Sequence, residues 1–81
     1  MSVSVQVSFY TLGGADLSGA IGKFVAVLDQ HDLAYEVGSM STVIWGDLET
    51  VFTALRDAYE QASEGNATVM TVTVSNACPV P

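Results

Sequence analysis

Two stretches of this chain alternate with a period of two. Val3, Val5, Val7 and Phe9 fall on one side, and Ser2, Ser4, Gln6, Ser8 and Tyr10 on the other. Toward the other end, Met70, Val72 and Val74 alternate with Val69, Thr71, Thr73 and Ser75. Successive side chains of a strand leave opposite faces, so both stretches predict β-branched strands with one apolar side. Between them the period lengthens to that of a helix. Leu17, Ile21, Phe24 and Leu28 form one stripe, flanked by Ala20 and Val27, with Asp16 placed to cap its start. Gly19 and Gly22 inside it each cost about 1 kcal/mol against Ala, which suggests close backbone packing or a weak helix. A second stripe of Leu48, Val51, Phe52, Leu55, Tyr59 and Ala62 predicts a second helix. Asp47 and Glu49 stand at its positive end and Gly65-Asn66 closes it. Leu33 to Val37 and Ser41 to Trp45, joined by Gly38-Ser39-Met40, predict a short hairpin.

The element order is therefore β-α-β-β-α-β. It predicts an α+β, ferredoxin-like sandwich: a four-stranded antiparallel sheet with two helices on one face, residues 1–81 forming one domain. The apolar sides of the first and last strands pack on the helices. The opposite side carries Ser4, Gln6, Ser8, Tyr10, Thr71, Thr73 and Ser75, polar but nearly uncharged. A solvated face normally carries Lys and Glu. Hydroxyls and an amide suit a surface that is partly buried against a subunit or a ligand. The third strand is apolar on both sides, Val43 and Trp45 alternating with Thr42 and Ile44, which predicts cover on both. Residues 77–81, with two prolines, predict a tail outside the sheet.

Composition narrows the function. The chain has 81 residues and a formal charge of −7, with Lys23 and Arg56 its only basic side chains apart from His31. Two cations cannot neutralise several phosphates, which argues against nucleic acid and anionic membranes as partners. Only 14% of residues are charged, against about 25% in an ordinary domain. Self-association is the simplest way to cover so little charge. The longest apolar run, Phe24 to Leu28, is far short of the roughly 20 residues of a membrane span. The opening residues have no basic start and no continuous apolar stretch, so no signal peptide is predicted. Cys78 stands alone, so no disulfide within the chain is expected and the expected location is the cytoplasm.

Catalytic chemistry is thin. His31, between Asp29 and Asp32, reads as a residue placed near a helix C-terminus rather than a metal ligand, since one His and a distant Cys78 do not make a usual site. Cys78 has no nearby base to activate it. Gly13-Gly14 before Asp16 reads as a turn, because Asp16 would repel a phosphate. Asp57, Glu60 and Glu64 read as solvated charges on the outer side of the second helix. Trp45 suits a core, an interface, or stacking on a flat cation. An acylphosphatase-type site lacks its loop arginine, a copper-chaperone type lacks its cysteine pair, and an RNA-recognition sheet lacks its charge. Binding of a small neutral or cationic molecule, or self-assembly, remains.

Three stretches then carry a family resemblance. Val5 to Gly13, Tyr35 to Glu49 with Val51-Phe52, and Ser75-Asn76-Ala77-Cys78-Pro79 resemble the YkoF-type thiamine/hydroxymethylpyrimidine-binding family, in the same order over nearly the whole chain. The middle block, with Ser41-Thr42 and Gly46-Asp47, is the most specific. The resemblance implies a ferredoxin-like domain that assembles through its sheets into homodimers or homotetramers. It implies non-catalytic binding of thiamine or its pyrimidine precursor in vitamin salvage or uptake, with no further cofactor; uptake would make a membrane transporter a partner. It points to Ser41, Thr42, Asn76 and Cys78 as ligand-binding residues, and the face assignment adds Gln6, Ser8, Tyr10, Trp45 and Ser75. Gln6, Asn76 and the hydroxyls could match an aminopyrimidine, while Tyr10 or Trp45 could face the thiazolium charge. Near Trp45 the family usually has an acidic or small residue, so the Trp could narrow or reshape the pocket. Two other readings are weighed beside this one. A structural or regulatory oligomerisation module predicts assembly without a pocket. A cofactor-free dimeric α+β barrel enzyme would have to rely on Glu36.

Overall fold

The computed structural model describes residues 1–13 and 16–77. Its elements are β1 (Ser2–Thr11), α1 (Leu17–Gln30), β2 (Ala34–Val37), β3 (Thr42–Asp47), α2 (Leu48–Ala62) and β4 (Thr68–Ser75). The sheet order is β2-β3-β1-β4 and every neighbouring pair is antiparallel. This is the ferredoxin-like α+β arrangement that the element order predicts. Both hairpin strands start one residue later than their sequence pattern suggests, and β3 also ends two residues later. Leu33 and Ser41 fall outside them, and β3 runs on to Asp47, the cap of α2.

β1 is central because it is the longest strand and its two faces differ most. Val3, Val5, Val7 and Phe9 are all buried beneath the helices. Each such burial stabilises the fold by roughly 1.5–3 kcal/mol. Ile44 joins them from β3, and Phe24, Val27, Leu28, Val51 and Leu55 from the helices. Phe9 ties the layers together, its ring 5.5 Å from Phe24 of α1 and 6.0 Å, edge-on, from Tyr59 of α2. β3 settles its ambiguous register here. Thr42 and Ile44 are buried on the helix side, while Val43 and Trp45, paired with Gln6 and Ser4, lie on the open side.

The helix stripes depart from expectation at their ends. Leu17, Leu48 and Phe52 are exposed rather than buried, and Ala54 and Ala58 fill the core in their place. The buried side of α2 is Val51, Ala54, Leu55, Ala58 and Ala62, and Phe52 falls outside that arc. Both caps form as read: Asp16 accepts from the Gly19 amide at 3.2 Å and Asp47 from the Glu49 amide at 3.2 Å. A Cβ on Gly19 would stand 2.6 Å from the Asp16 carboxylate, which explains the first of the two helix glycines. Gly22 has no neighbour within 4 Å of such an atom, and nothing in the structure explains it.

Gly46 is the tightest backbone position in the core. A Cβ there would lie 2.7 Å from Leu33 Cδ2 and 3.2 Å from Val51 Cγ2. Both neighbours are buried, so they have little room to yield. Gly46→Val is expected to destabilise the fold by about 1–3 kcal/mol through overpacking, read as a lower urea midpoint with an unchanged slope.

Candidate functional site

α1 is longer than the strand it returns to. Fourteen helical residues span about 21 Å, while the four residues of β2 span about 13 Å. The first two turns of α1 therefore overhang the end of β2 and face the turn at 38–41. A cavity of ≈ 310 Å³ opens beneath them. Leu17, Ile21 and Phe24 roof it, Val7 to Tyr10 and Thr42 form its floor, and Val37 to Ser41 close one side. The turn is held by the Gly38 amide donating to the Ser41 carbonyl at 2.8 Å. No charged side chain lines this space among the described residues. The polar residues along its lining are Ser8, Tyr10, Ser39, Ser41 and Thr42, with the peptide of Gly38.

Of the nine residues singled out from sequence, eight are among the described residues and fall into two groups. Ser8, Tyr10, Ser41 and Thr42 line the cavity. Gln6 lies beside it on the open face, its amide donating to Ser41 Oγ at 3.2 Å. Trp45 and Ser75 stand at the other end of the sheet, in one cross-strand row with Ser4. Asn76 is near them, its amide 4.0 Å from the sulfur of Met1. Four residues of β1, about 13 Å, separate Ser4 from Ser8, so one copy of the chain does not bring Trp45, Ser75 and Asn76 to the cavity. Cys78 lies outside the described residues. The Ser4 hydroxyl, covered in its row, is buried without a hydrogen-bond partner. Sequence reading missed the apolar roof, Leu17 and Ile21, and the turn residue Met40, which is 89% exposed. The signal was present: a helix start with a large apolar stripe, followed by a second strand too short to lie beneath all of it.

A ferredoxin-like domain with an uncharged cleft under its first helix is the class these features define. The sequence profile of the family described as thiamine-binding protein matches residues 3–76, and the chain belongs to that family. It is 36% identical over 58 residues to the UPF0045 protein MJ1052 of Methanocaldococcus jannaschii, a match taking in 70% of this chain and 58% of that protein. The chain thus aligns with less than two thirds of that curated relative's length. The crystal structure of MJ1052 superposes with a TM-score of 0.85 at 27% identity, over 99% of this chain and 84% of that one. A Thermotoga maritima protein, named for a proposed part in thiamine biosynthesis or salvage, superposes with a TM-score of 0.80 at 16% identity, over 91% and 82% of the two chains. The Streptococcus pneumoniae protein SP2199 gives 0.83 at 22% identity, over 93% and 86%. These last two likenesses are of fold.

The ionic contacts sit away from the cavity. Asp57 on α2, expected to be solvated, is instead half-buried between helices. It meets His31 Nε2, at the C-cap of α1, at 3.3 Å and Arg56 Nη2 at 3.0 Å. The Arg56 guanidinium holds the Asp57 carboxyl below the usual carboxylate range; burial opposes this and His31 adds to it. Hydrogen bonding from the Met1 amino group lowers Asp47 likewise. The Tyr35 hydroxyl donates to Asp29 at 2.8 Å, which raises its pKa. Among the described residues no three metal-ligating side chains cluster. A carboxyl lowered in the folded state stabilises it above the unfolded pKa, near 4, and loses that contribution as pH falls. The urea midpoint of the parent chain is therefore expected to exceed that of Asp57→Asn at pH 7, and the difference to shrink below about pH 4.

Proposed function

We propose that this protein binds thiamine, or its hydroxymethylpyrimidine half, without catalysis, in the cavity between α1 and the 38–41 turn. The observation that carries the reading is the cavity's character in a chain of this family: ≈ 310 Å³ with no charged side chain among its described lining residues. That volume is at the lower end of small-molecule sites, roughly 300–1,000 Å³. The apolar side chains of Leu17, Ile21 and Met40 suit the face of an aromatic ring. The Thr42 hydroxyl and the backbone of the 38–41 turn suit the ring nitrogens and amino group of an aminopyrimidine. A net charge of −7 favours the thiazolium cation and disfavours phosphate esters.

The reading places the protein in vitamin salvage or uptake, in the cytoplasm, with a membrane transporter as partner where uptake is the task. Among the described residues no helix is long and apolar enough to cross a membrane. It also has the open face of the sheet covered by a second copy. Val43 and Trp45 are only half-buried there, amid the hydroxyls of Ser8, Thr71 and Thr73. Asn76 and Trp45 then belong to that contact rather than to the ligand.

Calorimetric titration with thiamine and with hydroxymethylpyrimidine tests this. Saturable heat is expected for both, with affinity lowered about tenfold or more in Ile21→Trp, whose indole fills the cavity. Absence of heat for either ligand at millimolar concentration, or unchanged affinity in a folded Ile21→Trp, would contradict it.

A further inference from the structure

The outer face of α2 carries an apolar patch that the ligand reading does not use. Leu48 and Phe52 are 37% and 43% exposed. With Thr53 they line a shallow depression flanked by Glu49 and Arg56. Residues 49, 52, 53 and 56 lie at spacings of three, one and three, so they share one side of a helix within an arc of about 100°. Val51, Ala54, Leu55 and Ala58 take the buried side.

The pattern is its own complement. Glu49 and Arg56 stand equally far, about 5 Å, on either side of the midpoint between Phe52 and Thr53. A two-fold axis through that midpoint lays a second α2 antiparallel to the first. Glu49 of each copy then faces Arg56 of the other, twice, and the two Phe52 rings meet near the axis. Such an isologous contact has to match itself, and this register is the one that does. A parallel register would set Glu49 against Glu49 and Arg56 against Arg56. Glu60, on the same side of the helix, falls about 4–5 Å beyond the overlap.

The charge inventory points the same way. A chain of net charge −7 has only two Lys or Arg side chains, and one of them flanks the exposed Phe52. Arg56 is oriented by Asp57, which accepts from its Nε at 3.1 Å and its Nη2 at 3.0 Å. Its side chain is nevertheless 70% exposed, so the guanidinium keeps donors free. We infer that the outer face of α2 is a docking surface for a second copy of this chain, packed through Phe52 and registered by reciprocal Glu49–Arg56 pairs. One helix face buries less than the roughly 800 Å² per partner of a standard interface. The contact therefore acts as a weaker, second joint, separate from the open face of the sheet.

Sedimentation equilibrium over a concentration series tests it by charge reversal. The parent chain is expected to show a mass-doubling step. Its dissociation constant is expected to rise about tenfold or more in Glu49→Arg, Arg56→Glu and Phe52→Ser, and to return within about threefold in Glu49→Arg/Arg56→Glu. The three substituted positions are exposed, and far-ultraviolet circular dichroism checks the fold of all four variants. Thr73→Lys, on the open face of the sheet, is expected to remove sheet-mediated pairing and leave the α2 step in place. The inference is overturned if the parent chain shows no doubling step, if the single reversals leave it unchanged, or if the double reversal does not recover it.

Discussion

The structure depends on the alternation of β1. Four apolar side chains on one side of a single strand give both helices a surface to pack on, with Phe9 in contact with each. A slip of one residue would send Val3, Val5 and Val7 to the open face and drive Ser4 and Gln6 into the core. β1 pairs with β3 on one side and β4 on the other, so its register sets every other strand. The same alternation gives the open face its hydroxyl-rich, uncharged surface.

The cavity follows from a second constraint, a mismatch of length. α1 outruns β2, so its first turns have β1 but not β2 beneath them. Leu17 and Ile21 consequently roof a space instead of filling a core, and the turn around Ser39 and Met40 becomes its wall. Nothing in this costs the fold much, because the main core lies under the C-terminal half of α1, at Phe24, Val27 and Leu28. The division is useful: stability rests on one end of the sandwich and an adaptable, uncharged recess occupies the other. The ionic contacts between His31, Asp57 and Arg56 lie outside the recess lining.

Much of this was legible in the sequence. Period-two alternation at Val3 to Phe9 and Met70 to Val74, and the caps Asp16 and Asp47, were enough to order the elements and predict the sheet. The thiamine-binding family was legible too, from motifs spread across the chain. The helix edges were less so. A stripe at helical spacing does not say which of its members a neighbour can reach, so Leu48 and Phe52 looked like core, while Ala54 and Ala58, which fill it, looked too small to matter. Asp57 looked solvated because its partner His31 is 26 residues away on another helix. The site was legible only in part. Ser8, Tyr10, Ser41 and Thr42 gather at the cavity, but alternation along a strand says nothing about distance along it, and Trp45, Ser75 and Asn76 lie at the far end.

Everything turns on where the ligand sits. Two-dimensional amide NMR during a thiamine titration locates it directly, because the recess and the far end of the sheet carry different reporters. The resonances of residues 8–10 and 38–42 are predicted to move with saturation, and the indole N–H of Trp45 to stay in place. Movement of the Trp45 indole and the amides of Ser75 and Asn76, with residues 38–42 unmoved, would contradict it.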